Sequence, residues 1–377
     1  MIGRNICDFA PNKENNRNSE GDFLRLKDGS IIFIYSRYGA AGFEDDCNCD
    51  LYASISYDEG ESWSEPYPLL LHTDFNAENI MSVSLMRMQN GDIGLYFLAK
   101  VDAVNSLPHL IRSSDEGKTW HSLTPIFEKK GYYCVNNDRV IRLKSGRIIV
   151  PACLFEADSA IDENGKERLS NLHEGYMYVF ASDDDGKSWK TVCKHYGIPV
   201  SKACKTGVQE PGIVELNDGR LWCYIRNDSG RQYQCFSHDE GESWSSPELS
   251  QFTSPVSPLS ADRLSDGRII AVWNPIPLYN GRSLFYNGYW TDGRNPLVIA
   301  VSSDGENFSE YKAIETDESR GYAYTAIFET NDNSILLAYC AGGEGDVHSM
   351  LERTRITKIS IDELCTTYDK SKYEVKR

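Results

Sequence analysis

No stretch of this chain is apolar for the roughly 18 residues that a membrane-spanning helix needs. Its start, Met1-Ile2-Gly3-Arg4-Asn5-Ile6-Cys7-Asp8, has no apolar segment of the length a secretory leader requires. Cytoplasmic location and no membrane partner are therefore the expectation. Positive charge is also scarce: 39 Lys and Arg stand against 56 Asp and Glu, a net charge of −17, and no basic run occurs. A nucleic-acid backbone would be repelled, so nucleic acid is set aside as a partner. Zinc-type cysteine spacing is missing as well. The 11 cysteines are odd in number and irregularly placed, and Cys47-Asn48-Cys49 is too close a pair, with no second pair to complete a site. Reduced thiols, no metal and no cofactor follow as expectations. Helical periodicity is weak except in the polar C-terminal tail, about residues 360–377.

What the chain has instead is repetition. Ser56-Tyr57-Asp58-Glu59-Gly60-Glu61-Ser62-Trp63 recurs as Ser113–Trp120, Ser182–Trp189, Ser237–Trp244 and, degenerate, Ser302–Phe308. A second repeat alternates with it: an apolar run, a tight turn and another apolar run, centred on Asp28-Gly29, Asn90-Gly91, Ser145-Gly146, Asp218-Gly219, Asp266-Gly267 and Asp332-Asn333. Such turn pairs supply the positive φ angles of two-residue hairpins, so six hairpins are expected. Each of the first five is followed by one of the serine-aspartate boxes. Three strands, a box turn and a short fourth strand make one blade, so the expected fold is all-β, a six-bladed β-propeller spanning 1–377 as a single domain. Arg353–Ile359 reads as a late strand of the last blade, with the N-terminal residues helping to close it. The box aspartates, read as Asp58, Asp115, Asp185, Asp239 and Asp304, are assigned to turn structure rather than chemistry.

Chemistry belongs where the first strands begin, around one mouth of the ring. Those segments offer Arg17, Asn18, Glu20 and Asp22; Glu78 and Asn79; Asn136, Asn137, Asp138 and Arg139; Gln209 and Glu210; Ser257 and Ser260; Tyr324 and Thr325. Polar groups repeated at equivalent inner positions are costly to bury without partners. Asp138 and Arg139 have a plain alternative as partners for each other, but the collective pattern indicates a small polar ligand at the mouth.

Box repeats on such a framework resemble the sialidases, exo-acting hydrolases that release terminal sialic acids. The segment Glu210-Pro211-Gly212 through Tyr224-Ile225-Arg226 is similar to that family's glutamate, hairpin and arginine; Arg294-Asn295-Pro296 before the strand into Ser302 resembles its third arginine; and Tyr324-Thr325 is similar to its Tyr-Ser. The resemblance implies Tyr324 as nucleophile, Glu210 as its base, and Arg17, Arg226 and Arg294 as receptors for the substrate carboxylate. Blade one departs from the family's Arg-Ile-Pro with Arg17-Asn18-Ser19-Glu20, so Arg17 is placed by its spacing to the hairpin alone. The acid/base is expected on the loop Gly42–Cys47, where Asp46 is preferred to Asp45 and to Asp50. Arg139 and Arg282 are spare cations. Guanidiniums suit a carboxylate because they bind it bidentately. That carboxylate repels an anionic nucleophile, which is why tyrosine serves this substrate class, and a phenol of pKa near 10 needs a base beside it.

The expected activity is thus retaining release of a sialic acid through a tyrosyl intermediate, acting on an acidic glycan or a small sialoside. Alternatives are hydrolysis of another 2-keto acid sugar or of a uronoside, a lyase reaction with Tyr324 as base, and a non-catalytic glycan-binding propeller.

Overall fold

Asp-Gly and Asn-Gly punctuation does produce a hairpin at each expected place, but not by two-residue turns. In the computed structural model, which describes residues 1–127, 129–202, 204–278 and 283–365, Leu26 N donates to Ser30 O and Gly29 N to Leu26 O. Only the glycine takes a positive φ, 91° at Gly29. The loop is therefore three residues long, a tight turn closed by one left-handed residue. The same bonds recur around Gly91, Gly146, Gly219 and Gly267. The residue before each glycine is Asp, Asn or Ser because its side chain accepts the N–H two positions on, as Asp28 does from Ser30 at 3.0 Å.

Among the described residues almost every regular element is a strand; the exceptions are a 3-10 turn at His72–Phe75 and a single helical turn at Ile361–Cys365. Six antiparallel four-stranded units follow in chain order. The first pairs Arg17–Arg25, Ile31–Tyr38, Cys49–Ser56 and Tyr67–Leu70. The second pairs Asn79–Arg87, Ile93–Asp102, Asn105–Ser113 and His121–Pro125. In the third, Ile141–Arg142 pairs with Ile148–Ile161, then Glu167–Ser182 and Lys190–Tyr196. Gln209–Glu215, Leu221–Arg226, Arg231–Ser237 and Glu248–Thr253 form the fourth. Ser260–Arg263, Ile269–Trp273, Leu297–Ser302 and Lys312–Glu315 form the fifth. The sixth is built from Ala323–Glu329, Ser334–Cys340 and Thr354–Ser360, and the N-terminal Arg4–Phe9 supplies its outer strand.

Alternate side chains of a strand face opposite ways, so each unit offers apolar residues to both neighbours, and a core forms between every consecutive pair. Ile32, Ile34 and Leu51 of the first unit pack with Ile80, Leu85 and Leu95 of the second. Phe23, Ile31 and Phe33 of the first pack with Ala326, Leu336 and Ala338 of the sixth. Ile361 and Leu364, the start of the C-terminal tail, are buried in the core between the fifth and sixth units rather than peripheral; residues 366–377 lie outside the described residues. All eleven cysteines are free thiols.

The boxes are turn architecture, with one correction. In the first, Ser56 Oγ accepts Gly60 N at 2.8 Å and donates to Asp58 Oδ1, which also accepts Ser62 N at 2.8 Å. In the third box the aspartate in this role is Asp184, not Asp185: Asp184 takes the bonds from Ser182 Oγ at 2.8 Å and Ser188 N at 2.9 Å. Three consecutive aspartates left the register ambiguous, and the two-residue span from serine to aspartate decides it. Asp185 is instead the counterpart of Glu59 and Glu116, a carboxylate that binds an arginine of its own unit and a backbone N–H of a neighbour. It accepts Arg142 Nη2 at 2.6 Å and Gln89 N at 3.1 Å, as Glu116 accepts Arg87 and Lys27 N. Ser182→Ala strips the buried Gly186 N–H of its acceptor. An unmet buried donor costs about 1–3 kcal/mol, and urea unfolding of the variant should show a loss of that size.

Candidate active site

Four of the six inner strands begin with the same defect. In Arg17–Arg25 the pairing jumps between Ser19 and Asp22; in Asn79–Arg87 it jumps between Met81 and Ser84; in Gln209–Glu215, between Gln209 and Gly212; in Ala323–Glu329, between Ala323 and Ala326. Each is a bulge with two residues facing one. Its first residue takes a left-handed backbone, at φ 55° for Glu20, 60° for Ser82, 43° for Glu210 and 62° for Tyr324. Such angles are uncommon for residues with side chains and concentrate at functional sites. The bulge turns these four side chains into one cavity, whose wall also includes Asp45, Lys100, Tyr132, Cys134 and Asn136.

Glu210, Tyr324 and Arg226 form a closed triangle. Tyr324 Oη donates to Glu210 Oε1 at 3.3 Å, and Arg226 Nη1 donates to Glu210 Oε1 at 2.6 Å and to Tyr324 Oη at 3.2 Å. The Arg294 guanidinium lies 5.5 Å from the centre of the Tyr324 ring, held by Val256 O and by Asp292. Burial pushes the Tyr324 phenol up, the Glu210 charge pushes it further, and Arg226 and Arg294 pull it back only partly. The phenol is therefore neutral at rest. Arg226 Nε, Arg294 Nε and Glu210 Oε2 are buried without partners among the described residues. Buried polar atoms without partners are expensive, and three of them around one tyrosine mark a place where a polar ligand completes the bonding.

Arg17 binds two of the carboxylates that line the cavity, Asp45 and Glu20. It is 1% exposed and donates to Ser19 Oγ at 2.8 Å, Phe43 O at 2.9 Å, Asp45 Oδ1 at 2.6 Å and Glu20 Oε1 at 2.7 Å. Burial raises Glu20 to about 7 against the pull of Arg17. Asp45 moves the other way: enclosure opposes its ionisation, but Arg17 and then Lys100 outweigh it and hold its carboxyl below the usual range.

The loop Gly42–Cys47 reaches the cavity through Asp45 rather than Asp46. Asp46 pairs with Arg168 Nη1 at 2.9 Å and is not among the residues lining the cavity. Asp50 pairs with His72. The loop is pinned by Asn79, which donates to Asp45 O and Cys47 O, and by Lys100 Nζ on Asp45 O at 3.1 Å. Arg168 sits on the long hairpin Ile148–Ile161 and Glu167–Ser182, which leans over the loop. A pair that is still partly open to solvent contributes about 1 kcal/mol. Arg168→Ala should therefore lower turnover less than about fivefold in steady-state assays, and a loss beyond tenfold would give Arg168 a larger role.

Of the remaining candidates, Asn137 donates to Gly21 O and Tyr324 O, tying three units together. Asp22 accepts Phe23 N and Leu85 N, and Asp138 accepts Ile327 N. Asp138 and Arg139 make no ion pair: Arg139 donates to Leu259 O at 2.7 Å and lies over Tyr224. Arg282 lies outside the described residues. Sequence reasoning passed over Lys100 and Asp292. Lys100 is 2% exposed and ends the apolar run Ile93–Ala99, a lone charge there being its one visible signal.

The chain matches the BNR repeat-like domain over residues 96–348 and belongs to that family, within the sialidase superfamily. Anhydrosialidase of Macrobdella decora is 26% identical over 274 residues, 67% of this chain and 32% of that protein. Sialidase-4 of Mus musculus is 29% identical over 147 residues, 37% of this chain and 28% of that protein. The match thus spans no more than about a third of the length of these curated relatives. Among solved structures, the intramolecular trans-sialidase of Ruminococcus gnavus in complex with oseltamivir carboxylate superposes with a TM-score of 0.67 at 16% identity, covering 97% of this chain and 98% of that one. A protein of unknown function from Dyadobacter fermentans superposes with a TM-score of 0.68 at 17% identity, covering 94% and 99%. At these identities the likeness is one of fold.

Proposed function

We propose that the protein is an exo-acting glycoside hydrolase of the sialidase type, with its six units arranged as the blades of one propeller. The core shared by the first and sixth units supports the closed ring. The observation that carries the activity is the Tyr324–Glu210–Arg226 triangle, because binding alone needs no carboxylate hydrogen-bonded to a phenol at a strained backbone position.

In the proposed reaction, Arg226 and Arg294 hold the carboxylate of a terminal sialic acid beside Tyr324. Tyr324 Oη attacks the anomeric carbon as its proton passes to Glu210. The bond to the aglycone oxygen breaks, and that oxygen takes a proton from Asp45, at the open side of the cavity. Water then attacks the glycosyl-tyrosine, Asp45 takes the water proton, and the departing Tyr324 oxygen recovers its own from Glu210. Two displacements at one carbon give net retention. Because Asp45 must be protonated to act first and Arg17 holds its carboxyl below the usual carboxylate range, turnover should be highest in acid and already be low at neutral pH, which initial rates measured from pH 4 to 8 check.

Incubation with a fluorogenic α-sialoside, beside a panel of uronosides and other acidic glycosides, tests the reading. Sialic acid release with the α-anomer formed first supports it. Release from uronosides alone replaces it with another acidic sugar, and no turnover of any substrate leaves a glycan-binding propeller.

A further inference from the structure

Lys100 is a buried cation without a carboxylate partner. It is 2% exposed, and among the described residues its ammonium makes two hydrogen bonds and no ion pair: Nζ donates to Asp45 O at 3.1 Å and to Tyr132 Oη at 3.0 Å. Burial pushes the ammonium below its usual value, and Asp45, Asp46 and Glu78 pull it back only in part. A charge buried at such cost is normally paired with an opposite one. Lys100 is committed to a peptide carbonyl instead, and that carbonyl belongs to the residue that donates the proton in the proposed reaction. Strand pairing builds the cradle around it. Asn79 and Lys100 face each other across Asn79–Arg87 and Ile93–Asp102, and Asn79 Nδ2 reaches the same Asp45 O at 3.3 Å and Cys47 O at 2.9 Å. Tyr132 belongs to the short strand Tyr132–Cys134, which pairs with Asn105–Ser113 on one side and Ile148–Ile161 on the other. Lys100 thus ties a loop of the first unit to the seam between the second and third.

We infer that Lys100 is a positioning residue, which sets where Asp45 delivers its proton by holding the Asp45 main chain. The side chain needs such a tie, because it is 53% exposed on an irregular loop and Arg17 alone bonds its carboxyl among the described residues. Contact through the carbonyl fixes the backbone and leaves the rest of the carboxyl open to the aglycone and to water. A general acid works only within hydrogen-bond reach of the leaving oxygen, and a displacement of about 1 Å can cost on the order of 10²-fold in rate. The role of Asp45 rests on the sialidase-type reading; the anchoring of its loop does not.

The test uses Lys100→Met, which keeps the stem and removes the donors, and Lys100→Gln, which shortens the reach. Replacing a buried charge by an apolar side chain of similar volume is often neutral for stability, so Lys100→Met should fold. Both variants are compared with wild type on 3′-sialyllactose, whose sugar oxygen must be protonated as it leaves, and on a 4-nitrophenyl α-sialoside, whose phenolate departs without a proton. The ratio kcat/KM covers only the steps up to the glycosyl-tyrosine, in which Asp45 acts solely as an acid. It should fall more than thirtyfold on the lactoside and less than threefold on the aryl sialoside. Similar losses on both substrates, or none on either, overturn the proposal. Amide hydrogen exchange read by mass spectrometry should in parallel quicken at least tenfold across Gly42–Cys47 and stay within twofold across Arg17–Arg25; an unchanged loop also overturns it. If the wild type cleaves neither substrate, the sialidase-type reading fails instead, and loop exchange alone then decides whether Lys100 is the anchor.

Discussion

Tyr324→Phe should lower kcat/KM for a cleaved glycoside by at least about 10³-fold, with binding of an unreactive analogue held within threefold. The substitution removes one oxygen and little else. The ring still rests against the Arg294 guanidinium, and the left-handed backbone is carried by strand pairing on both sides of the bulge, so the fold should survive. If Tyr324 served only as a hydrogen-bond donor to Glu210, the loss would be that of one bond, about 1 kcal/mol and less than tenfold in rate. Initial rates of the purified variant separate these cases, and a loss below thirtyfold would remove Tyr324 from the role of nucleophile.

Stability should fall as pH rises from 5 to 8, the reverse of the usual expectation for a protein rich in paired carboxylates. Asp138, just before the inner strand of the third unit, interacts with Asp22 and Asp262 on the inner strands of the first and fifth. Burial raises Asp22 to about 7 and Asp262 to about 6, and Asp138 well above its usual range, with Asp22 and Asp262 adding to the rise at Asp138. Folded, these groups keep protons that the unfolded chain releases near pH 4. The stability they carry is thus complete at about pH 4 and lost as pH climbs through 6 and 7. One unit of displacement corresponds to about 1.4 kcal/mol, so a loss of at least about 2 kcal/mol between pH 5 and 8 is expected for the cluster. Box carboxylates act in the opposite sense. Desolvation opposes ionisation at Asp184, but hydrogen bonds from its turn outweigh it and bring the group to about 2, a contribution lost only on strong acidification. Maximum stability should therefore lie at about pH 4. Urea unfolding at pH 5 and 8 checks this, with Asp138→Asn expected to flatten the decline; stability that is level or rising over that interval would exclude the cluster as its source.

The hairpins were legible because a left-handed turn leaves a glycine behind it, and the serine-aspartate boxes because a turn bonded to its own side chains demands fixed spacing. Glu210, Arg226, Arg294 and Tyr324 were legible as residue types in a familiar order. What the sequence could not express was phase. Asp45 and Asp46 are adjacent on an irregular loop, where no alternation tells which faces inward, and Asp184 and Asp185 posed the same difficulty inside a box. The bulges were invisible because a bulge is a property of two paired strands, and the single-strand pattern around Glu20 or Tyr324 contains no sign of the partner that skips. The commitments of Arg17 depend on Phe43, Asp45 and Glu20 meeting in space, which spacing to a hairpin does not convey.

One bulge position recurs with four occupants of three kinds, Glu20, Ser82, Glu210 and Tyr324, on strands whose remaining backbone bonds are indifferent to which side chain is carried. The framework thereby behaves as a socket: an acid, an alcohol and a phenol are presented by the same bulge with no change in the surrounding pairing. The fifth unit, where Ser260 pairs with Val272 in unbroken register, lacks the socket. A chemist re-tooling this protein would begin at these four addresses and leave the strands alone.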